Sequence, residues 1–111
     1  MGIIYHICIK DEYFNAVASG EYRNETLEKL GHIHCATIEQ IEGLANSYYK
    51  ARSDLYLLVI DDSKVKAEIR YEGKYQGYLY PYLHGELNMD AVVKAEELKP
   101  EAGGTFSIKD S

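Results

Sequence analysis

Tryptophan is absent from this 111-residue chain, and cysteine, proline, phenylalanine and methionine occur only twice each. Two cysteines close at most one bridge, which excludes a disulfide framework. Cys8 and Cys35 both sit in apolar stretches, where a reduced, buried thiol is the ordinary state. Long apolar runs are missing as well. The stretch 55–60 is among the longest, far short of the roughly 20 residues of a membrane span. Met1 leads directly into the strand-like Ile3 and Ile4 with no basic and apolar leader between. The expectation is a cytoplasmic protein that does not enter membranes.

Positive charge is scarce too. Twelve Lys and Arg against 18 Asp and Glu give a formal net charge of -6. The basic residues are scattered singly, so no stripe tracks a phosphate backbone. That argues against long nucleic acid as a partner and leaves a single nucleotide open. No Gly-x-Gly-x-x-Gly or Gly-x-x-x-x-Gly-Lys loop is present, and no Gly-x-Ser-x-Gly elbow, which removes dinucleotide-fold, P-loop and serine-hydrolase chemistry.

What is present is an ordinary globular composition, 46% hydrophobic and 27% charged. A single domain of this length buries roughly two thirds of its unfolded surface and needs no staple. Alternation over Ile3–Ile9 predicts a strand covered on both faces. Asp11 is the expected N-cap of a short helix ending at Gly20, with Phe14, Val17 and Ala18 on one face. A loop over 21–24, a helical turn over 25–30 and a brief strand over 32–35 follow. Thr37 and Gln40 form a capping box for the clearest helix, whose Ile38, Ile41, Leu44, Ala45, Tyr48 and Tyr49 recur at helical spacing. Asp54–Ile60 is a buried-type strand, and the turn signal at 61–63 predicts an antiparallel hairpin with 65–71. Gly73 and Gly77 bracket a polar turn before the aromatic segment 78–84, whose Pro81 suits an edge or bend. Strands are expected at 90–98 and 105–108, then a polar tail. Six or seven strands with two or three helices indicate one α+β domain with a mainly antiparallel, curved or split sheet.

Four histidines carry the chemistry nearest neutral pH. His32 and His34 share a strand face at the spacing of two metal ligands, and His6 or His84 could supply a third. A lone His-x-His is more often two satisfied imidazoles, so no metal is assigned. Cys35 follows His34 but faces the opposite side of a strand, and Cys8 among isoleucines reads as an inert thiol. Tyr71, Tyr75, Tyr78, Tyr80 and Tyr82 crowd twelve residues, either packing a sheet face or offering a stacking surface for a planar ring.

Four stretches in order, Ile4-Tyr5-His6-Ile7, the run 31–40 leading to Ala45-Asn46-Ser47-Tyr48, Asp54–Asp61 and Tyr80–Leu87, resemble domain-of-unknown-function family 952 over about residues 3–98. The resemblance implies a domain similar to the ADP-ribosyltransferase fold, in which a split β structure holds NAD in a cleft. Members of that wider fold use a first-strand histidine on a ribose hydroxyl, an aromatic on nicotinamide and a late-strand glutamate at the ribose. His6 matches the family's first-strand histidine, and His34 the histidine of its Gly-Phe-Ile-His-Cys motif. The family's Phe-Pro-His-Ile-Tyr-Gly reads Tyr80-Pro81-Tyr82-Leu83-His84-Gly85 here, so histidine and tyrosine exchange places two residues apart on one strand face. His32 stands where the family tends to carry phenylalanine.

These readings together give a small-molecule partner of nucleotide or ADP-ribose type in a cleft lined by His6, His34, Tyr82 and His84. NAD would be a substrate rather than a resident cofactor. Transfer chemistry needs a carboxylate near the ribose, and Glu72 and Glu86 are the acidic residues close in sequence to the cluster. The alternative is a non-enzymatic interaction module whose histidines bond backbone carbonyls. Oligomeric state is not readable from the sequence.

Overall fold

The computed structural model describes residues 2–75 and 78–109. Gly77 and the last two residues of the polar tail lie outside them, as does the side chain of Tyr75.

Among the described residues, eight strands and three α-helices form a mixed α+β architecture whose ladders are all antiparallel. Strands β1 (Ile3–Ile9), β4 (Leu55–Asp61) and β8 (Val92–Leu98) form one sheet in the order β1-β4-β8. A second sheet has the order β3-β6-β5, from Ile33–His34, Tyr78–His84 and Glu68–Tyr75. A two-residue pair, β2 (Glu21–Tyr22) with β7 (Leu87–Asn88), completes the β structure. The two larger sheets meet at one bridge, where Tyr5 and Ala36 exchange backbone hydrogen bonds of 2.8 Å in both directions. The β structure is therefore split, with β1 and β3 at the seam.

The near-continuous apolar run of β4 explains its place. A strand buried on both faces belongs at the centre of a sheet, and β4 takes β1 on one side and β8 on the other. The hairpin expected between 54–60 and 65–71 is thereby corrected. Asp61 accepts from the backbone N–H and hydroxyl of Ser63 at 3.0 and 2.6 Å, the chain leaves the sheet through a 3-10 turn at Asp62–Lys64, and β5 pairs with β6 instead. Ile4, Cys8, Leu58 and Ile60 pack on one side of the first sheet with Tyr22, Leu27, Ile33 and Leu83. Tyr5, Ile7, Leu57 and Val59 pack on the other with Ile41, Ala45, Tyr80 and Phe106.

Helix α1 (Lys10–Ser19) starts directly from β1 with Ile9 at the N-cap position and no side-chain cap, so Asp11 sits in its first turn rather than capping it. Its buried contact is Ala16, and Tyr13 stacks on Tyr56 at 4.5 Å, whereas Phe14 and Val17 stay exposed. Gly20 closes the helix in the left-handed conformation as expected. Helix α2 (Glu25–Leu30) is capped by Asn24, whose Oδ1 accepts from Leu27 N–H at 2.8 Å. Helix α3 (Ile38–Tyr48) carries the capping box, Thr37 N–H donating to Gln40 Oε1 at 3.0 Å, and buries Ile41 and Ala45. The loop expected over 21–24 contains β2. The strand expected over 105–108 is an extended segment without a strand partner, its backbone met by helix side chains.

Candidate functional site

Strand pairing gathers the imidazoles and tyrosines. His34 lies opposite Tyr82, and β5 sets Glu68, Arg70 and Glu72 opposite His84, Tyr82 and Tyr80. Ladder partners and residues two apart share a face, so all of these stand on one side of the second sheet while Ile33, Ile69 and Leu83 turn to the core. His32 enters β3 on the same side, and its ring stacks on Tyr82 with centroids 4.1 Å apart and planes within 7°. His34 meets Tyr82 and Tyr80 edge-on at 4.7 and 4.9 Å.

His6 reaches this group across the seam. Its Nδ1 bonds the carbonyl oxygen of His34 at 2.8 Å and its Nε2 bonds the hydroxyl of Tyr22 at 2.8 Å. A carbonyl only accepts, so Nδ1 carries the hydrogen. Burial pushes the His6 pKa down to about 4, leaving the ring neutral near pH 7. Burial, with His32 as a like-charged neighbour, lowers His34 to about 4 as well.

A cleft of about 340 Å³ opens between these strands, α2 and α3. His6, His32, His34 and Tyr82 form its polar wall, Asn24 and Thr26 its rim at α2, and Tyr48 and Tyr49 its aromatic side from the end of α3. The Nε2 of His34 is buried without a hydrogen-bond partner. A buried polar atom in the wall of a cleft is a group that a ligand would satisfy. Burial, then the charge of Glu72, raises the pKa of Tyr82 and keeps its hydroxyl protonated.

Three of the four residues expected to bind ligand, His6, His34 and Tyr82, therefore line one hollow. His84 does not line it: its ring lies 5.8 Å from that of His32, and its Nε2 is 3.3 Å from Glu72 Oε1. Glu72 thus points at His84, and Glu86 accepts from Arg23 Nη1 at 2.5 Å, so neither carboxylate lines this hollow. Cys8, raised by burial to about 12, and Cys35, raised further still, are inert thiols as expected. Among the described residues no three His, Cys, Asp or Glu side chains converge as metal ligands.

Several residues in or behind the wall escape a reading of spacing. Tyr22 sits in a two-residue strand, and Glu12 reaches it at 3.3 Å from α1. Only the pairing of β2 with β7 brings that tyrosine to His6. Tyr48 and Tyr49 were legible as helix residues but not as one wall of a cleft.

The fold and the hollow at its seam define a class, a small α+β domain with a split antiparallel β structure. The chain matches the family model described as "Protein of unknown function (DUF952)" over residues 7–95, and it belongs to that family. Its fold is similar to the crystal structure of protein CC0527 from Caulobacter crescentus, at 23% identity, a TM-score of 0.88, and coverage of 96% of this chain and 94% of that one. The solution structure of the same protein agrees at 24% identity and a TM-score of 0.81, covering 95% of this chain and 91% of that one. No curated protein matches.

Proposed function

We propose that the cleft binds a nucleotide-type or ADP-ribose-containing ligand, with His34 as the group that contacts a ribose or phosphate oxygen. The observation that carries this reading is the orphaned Nε2 of His34 in the wall of a hollow of about 340 Å³. That volume lies at the small end of ligand sites and fits a nucleoside-sized portion rather than a whole dinucleotide. Tyr48, with 65% of its surface exposed, and Tyr49 offer ring faces for a planar base. Tyr82 is already stacked on His32 and acts as a fixed wall.

His6 takes the role that the interaction-module alternative assigned to histidine, bonding a backbone carbonyl. With both nitrogens engaged it positions His34 instead of touching ligand. Binding is favoured over glycosidic cleavage because, among the described residues, no Asp or Glu lines this chamber, while Glu72 lies beside His84 and Glu86 is held by Arg23. In this reading Glu72 and His84 brace His32 from behind.

Ligand that binds only the folded state raises its melting temperature. Millimolar ADP-ribose or NAD should raise that of the wild type by a few degrees and leave His34→Ala unmoved, with His84→Ala responding like the wild type. A wild type indifferent to NAD, ADP-ribose and AMP would defeat the proposal.

A further inference from the structure

Strand β5 is an edge. It pairs with β6 on one side, and among the described residues no backbone hydrogen bond leaves 67–73 on the other. A free edge offers its N–H and C=O groups to another strand unless a proline, a bulge or a run of like charges blocks it. No proline lies in β5, and its charges are not of one sign. Residues 66–72 read Lys-Ala-Glu-Ile-Arg-Tyr-Glu, with basic and acidic side chains alternating at every second position.

The four charges share one face. Lys66, Glu68 and Arg70 are exposed and Glu72 is half-buried, whereas Ala67 and Ile69 between them are half-buried, with Ile69 packed against the core. Val65 already has extended backbone, so the alternation begins ahead of the strand proper. Such a row is complementary to itself when reversed.

In an antiparallel pair of two copies, residues directly opposite share a face. With a two-fold axis at Ile69, Glu68 of one copy meets Arg70 of the other and Lys66 meets Glu72, each contact occurring twice. On the opposite face Ile69 meets itself, and Ala67 meets Tyr71, which leaves 52% of its surface in solvent. An axis at Glu68 or Arg70 sets like charges against each other, and one at Ala67 sets Arg70 against Lys64. An axis at Tyr71 runs the ladder into the irregular stretch after Glu72, and one between residues sets charged positions against apolar ones. The existing pair of Glu68 with Arg70 at 3.0 Å is solvent-exposed, so exchanging it for the same pair between copies costs little.

From this self-complementarity we infer that β5 is the interface of a symmetric dimer, pairing antiparallel with β5 of a second copy about an axis at Ile69. The backbone ladder supplies affinity, and the charges set the register. The joined sheet runs β3-β6-β5-β5-β6-β3 and presents Tyr82 and His84 of both copies on one face. Each outer edge continues from β3 into the seam with β1, so the assembly closes at two. None of this rests on the ligand assigned to the cleft.

One strand from each copy makes a small interface, so association is measured by sedimentation equilibrium at about 0.1–1 mM chain and low salt. The wild type should form a reversible dimer. Glu68→Arg and Arg70→Glu each put like charges opposite on both sides of the axis and should weaken it at least about tenfold. Mixed one to one, the two variants again set opposite signs against each other at every position, and they should recover the wild-type affinity as a heterodimer, which also shows that both are folded. In a mixture of isotope-labelled and unlabelled wild type, nuclear Overhauser effects between copies should link the Ala67 methyl to the Tyr71 ring. The inference is overturned by a wild type that stays monomeric at the highest of these concentrations, by a dimer that either single variant leaves unaltered, by a mixture of the two variants that remains monomeric, or by contacts between copies that link other residues instead.

Discussion

Gly73 shows how one residue without a side chain shapes the site. It lies in β5 at φ +68, where the register with β6 is irregular between Glu72 and Tyr75, and a Cβ built there would fall 1.9 Å from the hydroxyl oxygen of Tyr82. The absent methyl is what lets Tyr82 lie flat against His32. Gly73→Ala therefore carries two effects. The left-handed backbone costs on the order of 1 kcal/mol with any β-carbon, a loss measurable by urea denaturation. The clash falls on the end of a side chain, so the tyrosine swings and the strand stays. The expected outcome is a folded protein in which ring-to-ring nuclear Overhauser effects between His32 and Tyr82 vanish and ADP-ribose no longer stabilises. A variant that kept the stacked pair would show that Gly73 is not what holds Tyr82 in place.

Among the elements, α3 does more than cover a sheet. The carboxamide of Asn46 accepts from Phe106 N–H at 2.7 Å and donates to Phe106 carbonyl at 3.2 Å, and Glu42 accepts from Ile108 N–H at 2.8 Å. Helix side chains thus serve the 105–108 segment as a strand would. Asn46→Ala should cost about 1–3 kcal/mol, the scale for leaving buried backbone groups unpaired, and should speed amide exchange at Phe106 and Ile108 while residues of β4 keep their protection. Unchanged exchange at those two amides would refute the role given to Asn46. The same segment marks what a sequence discloses about elements. Phe106 and Ile108, two apart in a segment expected to be extended, are both buried, a periodicity that is local information. Which groups meet the backbone is not local, so a helix took the place expected of a strand. The hairpin assigned to 54–60 and 65–71 failed for the same reason. The turn residues at 61–63 were read correctly as a turn, but the partners of β4 are set by β1 and β8, each more than 30 positions away in the register of the first sheet. The capping box and the Gly20 stop were legible because their hydrogen bonds span only three or four residues.

At the scale of the molecule, the seam between the two larger sheets brings His6 against His34, and this makes stability depend on pH. Each ring has a folded pKa of about 4 against an ordinary 6.5, the first cause being burial in both. The unfolded chain accordingly binds protons that the folded chain refuses between those two values. The contribution of a histidine with a depressed folded pKa is complete above 6.5 and is lost as the pH falls from 6.5 toward 4. Fully buried His6 supplies up to about 1.4 kcal/mol per pH unit in that window, and half-buried His34 a smaller share screened by solvent. The depressed carboxylates Asp54, Glu25 and Glu68 cannot account for this loss. A carboxylate whose folded pKa lies below its ordinary value destabilises the fold only once the pH drops through the carboxylate range, beneath the histidine window. Urea denaturation at half-unit steps should show the folding free energy flat from pH 8 to about 7 and then falling steadily to about 4.5. In His34→Gln the fall should be shallower over the same interval, because one of the two refused protons is gone and the seam contact from His6 to the backbone carbonyl at position 34 survives. A stability curve level down to pH 4.5 would mean that these rings take up protons freely while folded, and the seam would then not be the dry, shared interior on which the site is built.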